Sequence, residues 1–308
     1  MTQEQLPWGE LCEFFETSLD GSEVRRLEPL GEKTTYRSGG ACDIFIEVGS
    51  ENDLQVIANR ILGLDIPVAV LGNGSNLLVS DTGFTGLVLR LGPEFKSLLI
   101  EKEIVIAGAA AILPVVARKT VAAGLTGFEW AVGVPGSMGG AVRMNAGGHG
   151  SDMSKSVLRV EGVDLETGQH FSLSLDQLRF SYRNSSISRS QVITKVVLDL
   201  KEGNTSESEI ELSEIVRWRV ENQPGGQNAG SVFTNPENES AGRLIEAAGC
   251  KGLRIGTACV SQKHANFIQV DHGGKSEDVA ALIQEVRSQV LKKFGIELDS
   301  ENHFLGFD

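Results

Sequence analysis

From Trp130 to Gly150 the chain reads WAVGVPGSMGGAVRMNAGGHG, and seven of the eighteen residues from 133 onward are glycine. Glycine weakens helix and strand interiors, so the segment predicts a loop rather than a packed element. Ordering so long a loop costs conformational entropy that few side chains are present to offset. Val134, Ala141, Val142 and Met144 within it argue against a flexible surface loop. Bare backbone N–H groups suit the phosphates of a dinucleotide, which makes this a candidate pyrophosphate-binding loop.

A second glycine turn lies upstream, Leu71-Gly72-Asn73-Gly74-Ser75-Asn76-Leu77-Leu78, directly after an apolar run, Ile66 to Leu71, that reads as a strand. Gly72 and Gly74 permit close approach of the backbone to a phosphate, and Ser75 and Asn76 add donors. Leu77 stands where a Rossmann fingerprint needs its third glycine, and no Gly-Lys-Ser/Thr follows, so neither standard nucleotide motif is present. Taken alone, Gly-Asn-Gly is an ordinary turn.

Around these turns the pattern is α/β. Leu54, Ile57, Ala58, Ile61 and Leu62 have helical spacing and predict a helix over 54–63. Strands are predicted at 86–91 and 104–106. The apolar run from Ile104 to Ala117 carries Gly108 and Pro114, is too short for a membrane span, and reads as a buried strand followed by a helix start. Residues 157–201 read as an antiparallel meander, and EGNTSES (202–208) as a linker. Beyond it, Ser240–Ala248 predicts a short helix stopped by Gly249. Ser276 predicts the cap of a longer one, with Glu277 and Asp278 in its first turn and Lys292 and Lys293 before Gly295.

Composition narrows the function. The 308 residues carry 28 Lys+Arg against 41 Asp+Glu, a net charge of −13, which excludes a nucleic-acid binder that works through a global positive field. Any anionic ligand must then meet a local cluster of cations, for which Arg217, Arg219, Arg243, Arg254 and Lys263 are candidates. With 41% hydrophobic and 22% charged residues the chain is globular and not disordered. The 36 glycines come with only 8 prolines and no Gly-X-Y period, so collagen and linker sequences are excluded. Cys12, Cys42, Cys250 and Cys259 are too scattered for a zinc framework or a disulfide scaffold, and no metal centre is expected. The N-terminal MTQEQLPWGELCEFFE is acidic where a secretory leader is basic, so a cytoplasmic protein with no membrane partner is expected.

Three polar segments remain: Phe180-Ser-Tyr182-Arg183-Asn-Ser185, Asn228-Ala-Gly230-Ser231-Val-Phe-Thr-Asn235-Pro236, and Glu297-Leu-Asp-Ser-Glu301. By spacing alone they are a stacked arginine, a turn serine and a solvated glutamate. Their order with the glycine segments, together with Thr34-Thr-Tyr-Arg-Ser-Gly-Gly40, Ser240–Gly256 and Val260-Ser-Gln-Lys-His264-Ala-Asn-Phe-Ile268, resembles the UDP-N-acetylenolpyruvoylglucosamine reductases, the MurB family of cell-wall synthesis, along nearly the whole chain.

The resemblance implies an α+β protein. An FAD-binding domain of the PCMH (vanillyl-alcohol-oxidase) type, about 38–203, would fall into subdomains 1–92 and 93–203, followed by a C-terminal α/β substrate domain at 204–308. It implies non-covalent FAD, NADPH as co-substrate and UDP-N-acetylglucosamine enolpyruvate as substrate, in a monomer or weak dimer. By resemblance Arg183, Ser231 and Glu301 fall on the catalytic positions. Gly72, Asn73, Gly74, Ser75 and Asn76, with Gly133, Val134, Pro135, Gly136, Ser137, Gly139, Gly140, Ala141, Asn145 and Ala146, fall on the flavin loops, and Tyr182, Asn235 and His264 in substrate segments. Asn302-His303 follows Glu301 where the family often has valine and arginine, and Ser300 replaces a frequent proline. The short spacing from Arg217 to Ser231 resembles the family's compact form, which lacks an extra loop over the uridine. Two other readings stand beside it: an FAD-linked oxidase of the same superfamily with the flavin tethered through His149, and a non-catalytic nucleotide-sugar sensor.

Overall fold

Ala41–Val48 buries Ile44, Phe45, Ile46 and Val48, and its β-branched and aromatic side chains place it inside a sheet. In the computed structural model, which describes residues 8–307, it lies second in a four-stranded sheet ordered Glu23–Pro29, Ala41–Val48, Phe84–Leu91, Val68–Val70. The first seven residues, on which part of the leader argument rests, lie outside the described residues. The last strand pairs parallel with Phe84–Leu91. The helix Glu51–Ile61 packs on this sheet through Leu54, Ile57, Ala58 and Ile61. It starts three residues before the predicted 54, because the Ser50 side chain accepts from the Asp53 amide.

The predicted meander is the centre of a five-stranded sheet, ordered His170–Ser174, Val157–Asp164, Gln191–Asp199, Ile104–Gly108, Leu98–Glu101, antiparallel throughout. Ile104–Gly108 followed by the helix Leu113–Ala122 is the strand and helix start read from the apolar run. These two sheets belong to one compact unit, residues 1–28, 42–73 and 86–216.

The second unit comprises 29–41, 74–85 and 217–308. Its helix Ser276–Phe294 buries Val279, Leu282, Ile283, Val286 and Val290 in a core shared with Tyr36, Leu78, Phe233 and the helix Ala241–Ala247. A small antiparallel sheet, Arg254–Ile255, Ala258–Val260 and Ile268–Val270, packs there too. Leu77–Val79 and His303–Leu305 form a parallel pair.

Three expectations need correction. EGNTSES is no linker: the helix Thr205–Asn222 begins inside it, because the Asn204 side chain accepts from the Ser206 and Glu207 amides at 3.0 and 3.4 Å. The glycine stretch contains a helix, Met138–Arg143, whose Met138, Ala141 and Val142 are buried. Its first two amides are met by the carbonyls of Ala111 and Ala109, both at 2.9 Å, so tertiary contact overrides poor local propensity. Ser276 does not cap its helix; Asp81 does, accepting from the Ser276 and Glu277 amides at 3.0 and 3.3 Å. Among the described residues no helix is long and apolar enough to cross a membrane.

Candidate active site

The turn after Val68–Val70 is built for close approach. Gly74 has φ +62°, and a Cβ there would lie 2.3 Å from the Lys33 carbonyl oxygen, so no other residue fits. A Cβ at Gly72 would sit 2.6 Å from Ser137 Oγ. Asn73 Nδ2 donates to the Pro135 carbonyl at 3.2 Å, both residues lying in the first unit. Among the described residues the amides of Asn73, Gly74, Ser75 and Asn76 have no hydrogen-bond acceptor. Four successive donors on a side-chain-poor turn fit the phosphates of a dinucleotide such as FAD. In the longer loop, by contrast, the Met138 and Gly139 amides are already engaged by carbonyls. Gly133, Val134, Gly136, Gly140 and Ala146 line the same segment, and a Cβ at Gly140 would meet Ser137 Oγ at 3.3 Å.

Tyr182 and Arg183 sit at the tip of a tight turn closed by Ser181 and Asn184, whose backbones exchange bonds of 3.0 and 3.2 Å. Arg183 adopts φ +55°, a left-handed conformation that costs energy for a side-chain-bearing residue and marks a constrained position. Its Nη2 donates to the Gly147 carbonyl at 3.1 Å, and its guanidinium lies 5.1 Å from the centroid of the exposed Tyr182 ring. Asn145 holds this turn: its Nδ2 donates to the Ser181 carbonyl at 2.9 Å while its Oδ1 accepts from the Ser154 amide at 3.1 Å. Arg183 is thus fixed to the glycine loop. The ring of His149 packs against Gly133, where a Cβ would be 3.1 Å from Nε2.

In the second unit Ser231 and Glu301 come together although seventy residues separate them. Their segments run antiparallel: the Glu301 amide donates to Val232 O at 2.7 Å and the Thr234 amide to Asp299 O at 3.0 Å. Asn76, in the same unit, donates through Nδ2 to the Glu301 carbonyl at 2.9 Å. Glu297, the competing carboxylate, is instead 70% exposed and pairs with Arg287 at 3.0 Å. Asn235 Oδ1 accepts from the Ala241 amide at 3.0 Å and anchors the short helix. His264 Nδ1 accepts from the Asn266 amide at 3.2 Å, which puts the neutral ring's proton on Nε2. Burial lowers its pKa below the usual 6.5, so the ring is neutral at pH 7.

Not every cation proposed for the local field contributes. Arg243 pairs with Glu239, and Arg254 with Asp271 at 2.7 Å, both as exposed ion pairs that cancel their charge. Arg219 is turned toward Gln223, its pKa lowered by burial. Two further residues carry the local geometry, and spacing and composition did not reveal their roles. Asn266, 4% exposed, brackets Phe233 by accepting from its amide at 3.0 Å and donating to its carbonyl at 2.8 Å. Asn302, equally buried, contacts four residues from three segments.

Fold and turns define a class, a PCMH-type FAD-binding domain joined to a C-terminal substrate domain. Residues 42–174 match the FAD binding domain family, and residues 220–305 match the C-terminal domain of UDP-N-acetylenolpyruvoylglucosamine reductase. A UDP-N-acetylenolpyruvoylglucosamine reductase of Heliobacterium modesticaldum is 42% identical over 91% of this chain and 90% of its own. The crystal structure of the Thermus caldophilus UDP-N-acetylenolpyruvylglucosamine reductase (MurB) superposes with a TM-score of 0.80 at 33% identity, covering 92% of this chain and 98% of that one. The BBE-like 1 protein of Physcomitrella patens shares the fold alone, with a TM-score of 0.58 at 12% identity over 92% of this chain and 88% of that one. The chain belongs to the UDP-N-acetylenolpyruvoylglucosamine reductase (MurB) family.

Proposed function

We propose that the protein reduces the enolpyruvyl group of UDP-N-acetylglucosamine enolpyruvate to the lactyl group of UDP-N-acetylmuramate, with NADPH as donor and non-covalent FAD, in peptidoglycan precursor synthesis. One NADPH and one proton are consumed, and NADP⁺ leaves. The turn Gly72–Asn76 would hold the FAD phosphates through its amides, with Gly133–Ala141, Asn145 and Ala146 as the second flavin segment. FAD, when bound, supplies the hydride, accepting it from NADPH and delivering it to the vinyl CH₂ carbon.

What the chain's own residues do follows from the charge that this delivery creates. Charge moves into the adjacent carboxylate, which becomes nearly a dianion, and a cation must meet it. Arg183 has that role: its planar fork matches a carboxylate and never deprotonates. Ser231 gives its proton to the carbon next to the carboxylate, on one face, which sets the new stereocentre. Glu301 would carry a proton, or share one with the substrate, beside this anion, because an ionised carboxylate would repel the intermediate. Tyr182, Asn235 and His264 contact the substrate, His264 donating through Nε2. The observation that carries this assignment is the antiparallel pairing of the Ser231 and Glu301 segments.

Functionally the chain would divide into FAD subdomains 1–92 and 93–203 and a substrate domain, 204–308, in a cytoplasmic monomer or weak dimer with no nucleic-acid partner. Acid precipitation of the holoenzyme tests the flavin linkage against the oxidase reading. All yellow pigment should pass to the supernatant; pigment retained on the protein would favour the oxidase.

A further inference from the structure

Asn302 is 4% exposed, and its side chain has hydrogen-bond partners in four other residues. Its Nδ2 lies 2.7 Å from Asn76 Oδ1, 3.2 Å from Ala229 O and 3.3 Å from Ser231 O. Its Oδ1 accepts from the Tyr36 hydroxyl at 3.3 Å. The orientation is self-consistent, since the flipped amide would set an oxygen against three oxygens. Asn76 agrees with it, because its Nδ2 is committed to the Glu301 carbonyl and its Oδ1 must therefore accept. Tyr36 is wholly buried, and burial raises its pKa, so it remains a donor at every working pH.

The two carbonyls that share the Asn302 amide, Ala229 and Ser231, flank Gly230. Gly230 adopts φ +74°, and a Cβ there would meet nothing within 4 Å. The Asn228 side chain accepts from the Gly230 amide at 3.1 Å, which leaves the two flanking carbonyls to Asn302. The hydrogen bonds from Asn302 clamp Gly230 from both sides. On the other side Asn302 follows Glu301 directly and grips Asn76, which grips Glu301.

We infer that Asn302 is a positioning residue for proton delivery: it clamps the Gly230–Ser231 backbone and, through Asn76, the Glu301 backbone into one hydrogen-bonded unit. The inference rests on the roles given to Ser231 and Glu301 above. A hydroxyl that must protonate one face of a carbon is sensitive to small displacements, whereas hydride transfer from NADPH makes no use of Ser231.

Rapid-mixing absorbance on holoenzyme variants separates the two half-reactions. In Asn302→Leu, similar in volume but without hydrogen bonds, bleaching of the flavin by NADPH should stay within about twofold of the parent, while its recolouring by the enolpyruvyl sugar nucleotide slows by about tenfold or more. The loss should fall on kcat, with KM for the sugar nucleotide held within about threefold. Asn302→Asp supplies a readout that a merely structural role would not move. Its neutral acid can donate one bond and its carboxylate none, so the recolouring rate relative to the parent should rise as pH falls. Recolouring of Asn302→Leu within about twofold of the parent, equal losses in both half-reactions, or a flat pH ratio for Asn302→Asp would each overturn the inference. So would loss of FAD or of the folded state in both variants, since Asn302 would then support the fold and not one step. Failure of the parent itself to recolour is a different outcome, which removes the proposed function and the inference with it.

Discussion

At the residue scale the proposed chemistry rests on few atoms held by unusual backbone. Arg183 at φ +55° and Gly74 at φ +62° occupy left-handed conformations, the first tied to Gly147 and the second pressed against Lys33. The glycine motifs were legible because bare backbone is itself the signal. Ser231 and Glu301 were not legible as a pair, because nothing in a linear sequence marks the Val232–Glu301 hydrogen bond. Only the family resemblance nominated them. Asn302 stood out only as a departure from the family's pattern, and its role was not legible, since its four partners lie far away in the sequence. Ser231→Ala tests the residue-level assignment. The variant should still be bleached by NADPH at about the parent rate, and recolouring by substrate should fall about a hundredfold or more. A selective loss of bleaching would contradict the role of proton donor.

At the element scale, long-range caps decided what local pattern could not. The periodicity of Ser276–Phe294 and its stop at Gly295, φ +68°, were readable in sequence. Its cap was misread, because Asp81 comes from almost two hundred residues earlier and Glu277 answers by accepting from the Asp81 amide at 2.9 Å. Asp81→Ala should therefore lower the stability of the protein by about 1–2 kcal/mol, read as a fall in Tm, without removing FAD. The helix Thr205–Asn222 was missed for a similar reason: its polar first turn reads as a linker, yet Ser208 is buried and donates to Glu129 Oε1 at 2.6 Å.

Glu129 is itself 3% exposed and also accepts from Thr126 Oγ1 at 2.7 Å and the Gly127 amide at 2.8 Å. Burial works to raise its pKa, but these hydrogen bonds outweigh it and hold the carboxyl below its ordinary 4.5. A depressed folded-state pKa means stability that is present above the ordinary value and lost as pH falls through the folded one. Glu129→Gln should be less stable than the parent at pH 7, and the gap should shrink below about pH 4.5, measured by denaturant titration across pH.

At the scale of the whole molecule, fold class and family were readable because so many motifs keep one order along the chain. The division into units was not, since each unit is assembled from three separated segments. Residues 29–41 and 74–85 belong with the C-terminal third, a long-range association that no local propensity encodes. The assigned roles fall in both units, with Arg183 in one and Ser231 and Glu301 in the other. With a net charge of −13 an anionic substrate needs a local cation, and Arg183 is the one proposed to meet the reacting carboxylate.

The central claim is that one flavoprotein carries hydride from NADPH to an enolpyruvyl sugar nucleotide. Sequential mixing under anaerobic conditions measures it directly. NADPH should bleach the flavin absorbance near 450 nm, an approximate value set by the isoalloxazine chromophore that FAD brings. UDP-N-acetylglucosamine enolpyruvate should then restore it, with one UDP-N-acetylmuramate formed per flavin reoxidised. A flavin that stays bleached with that substrate and recovers only when oxygen is admitted would contradict the account.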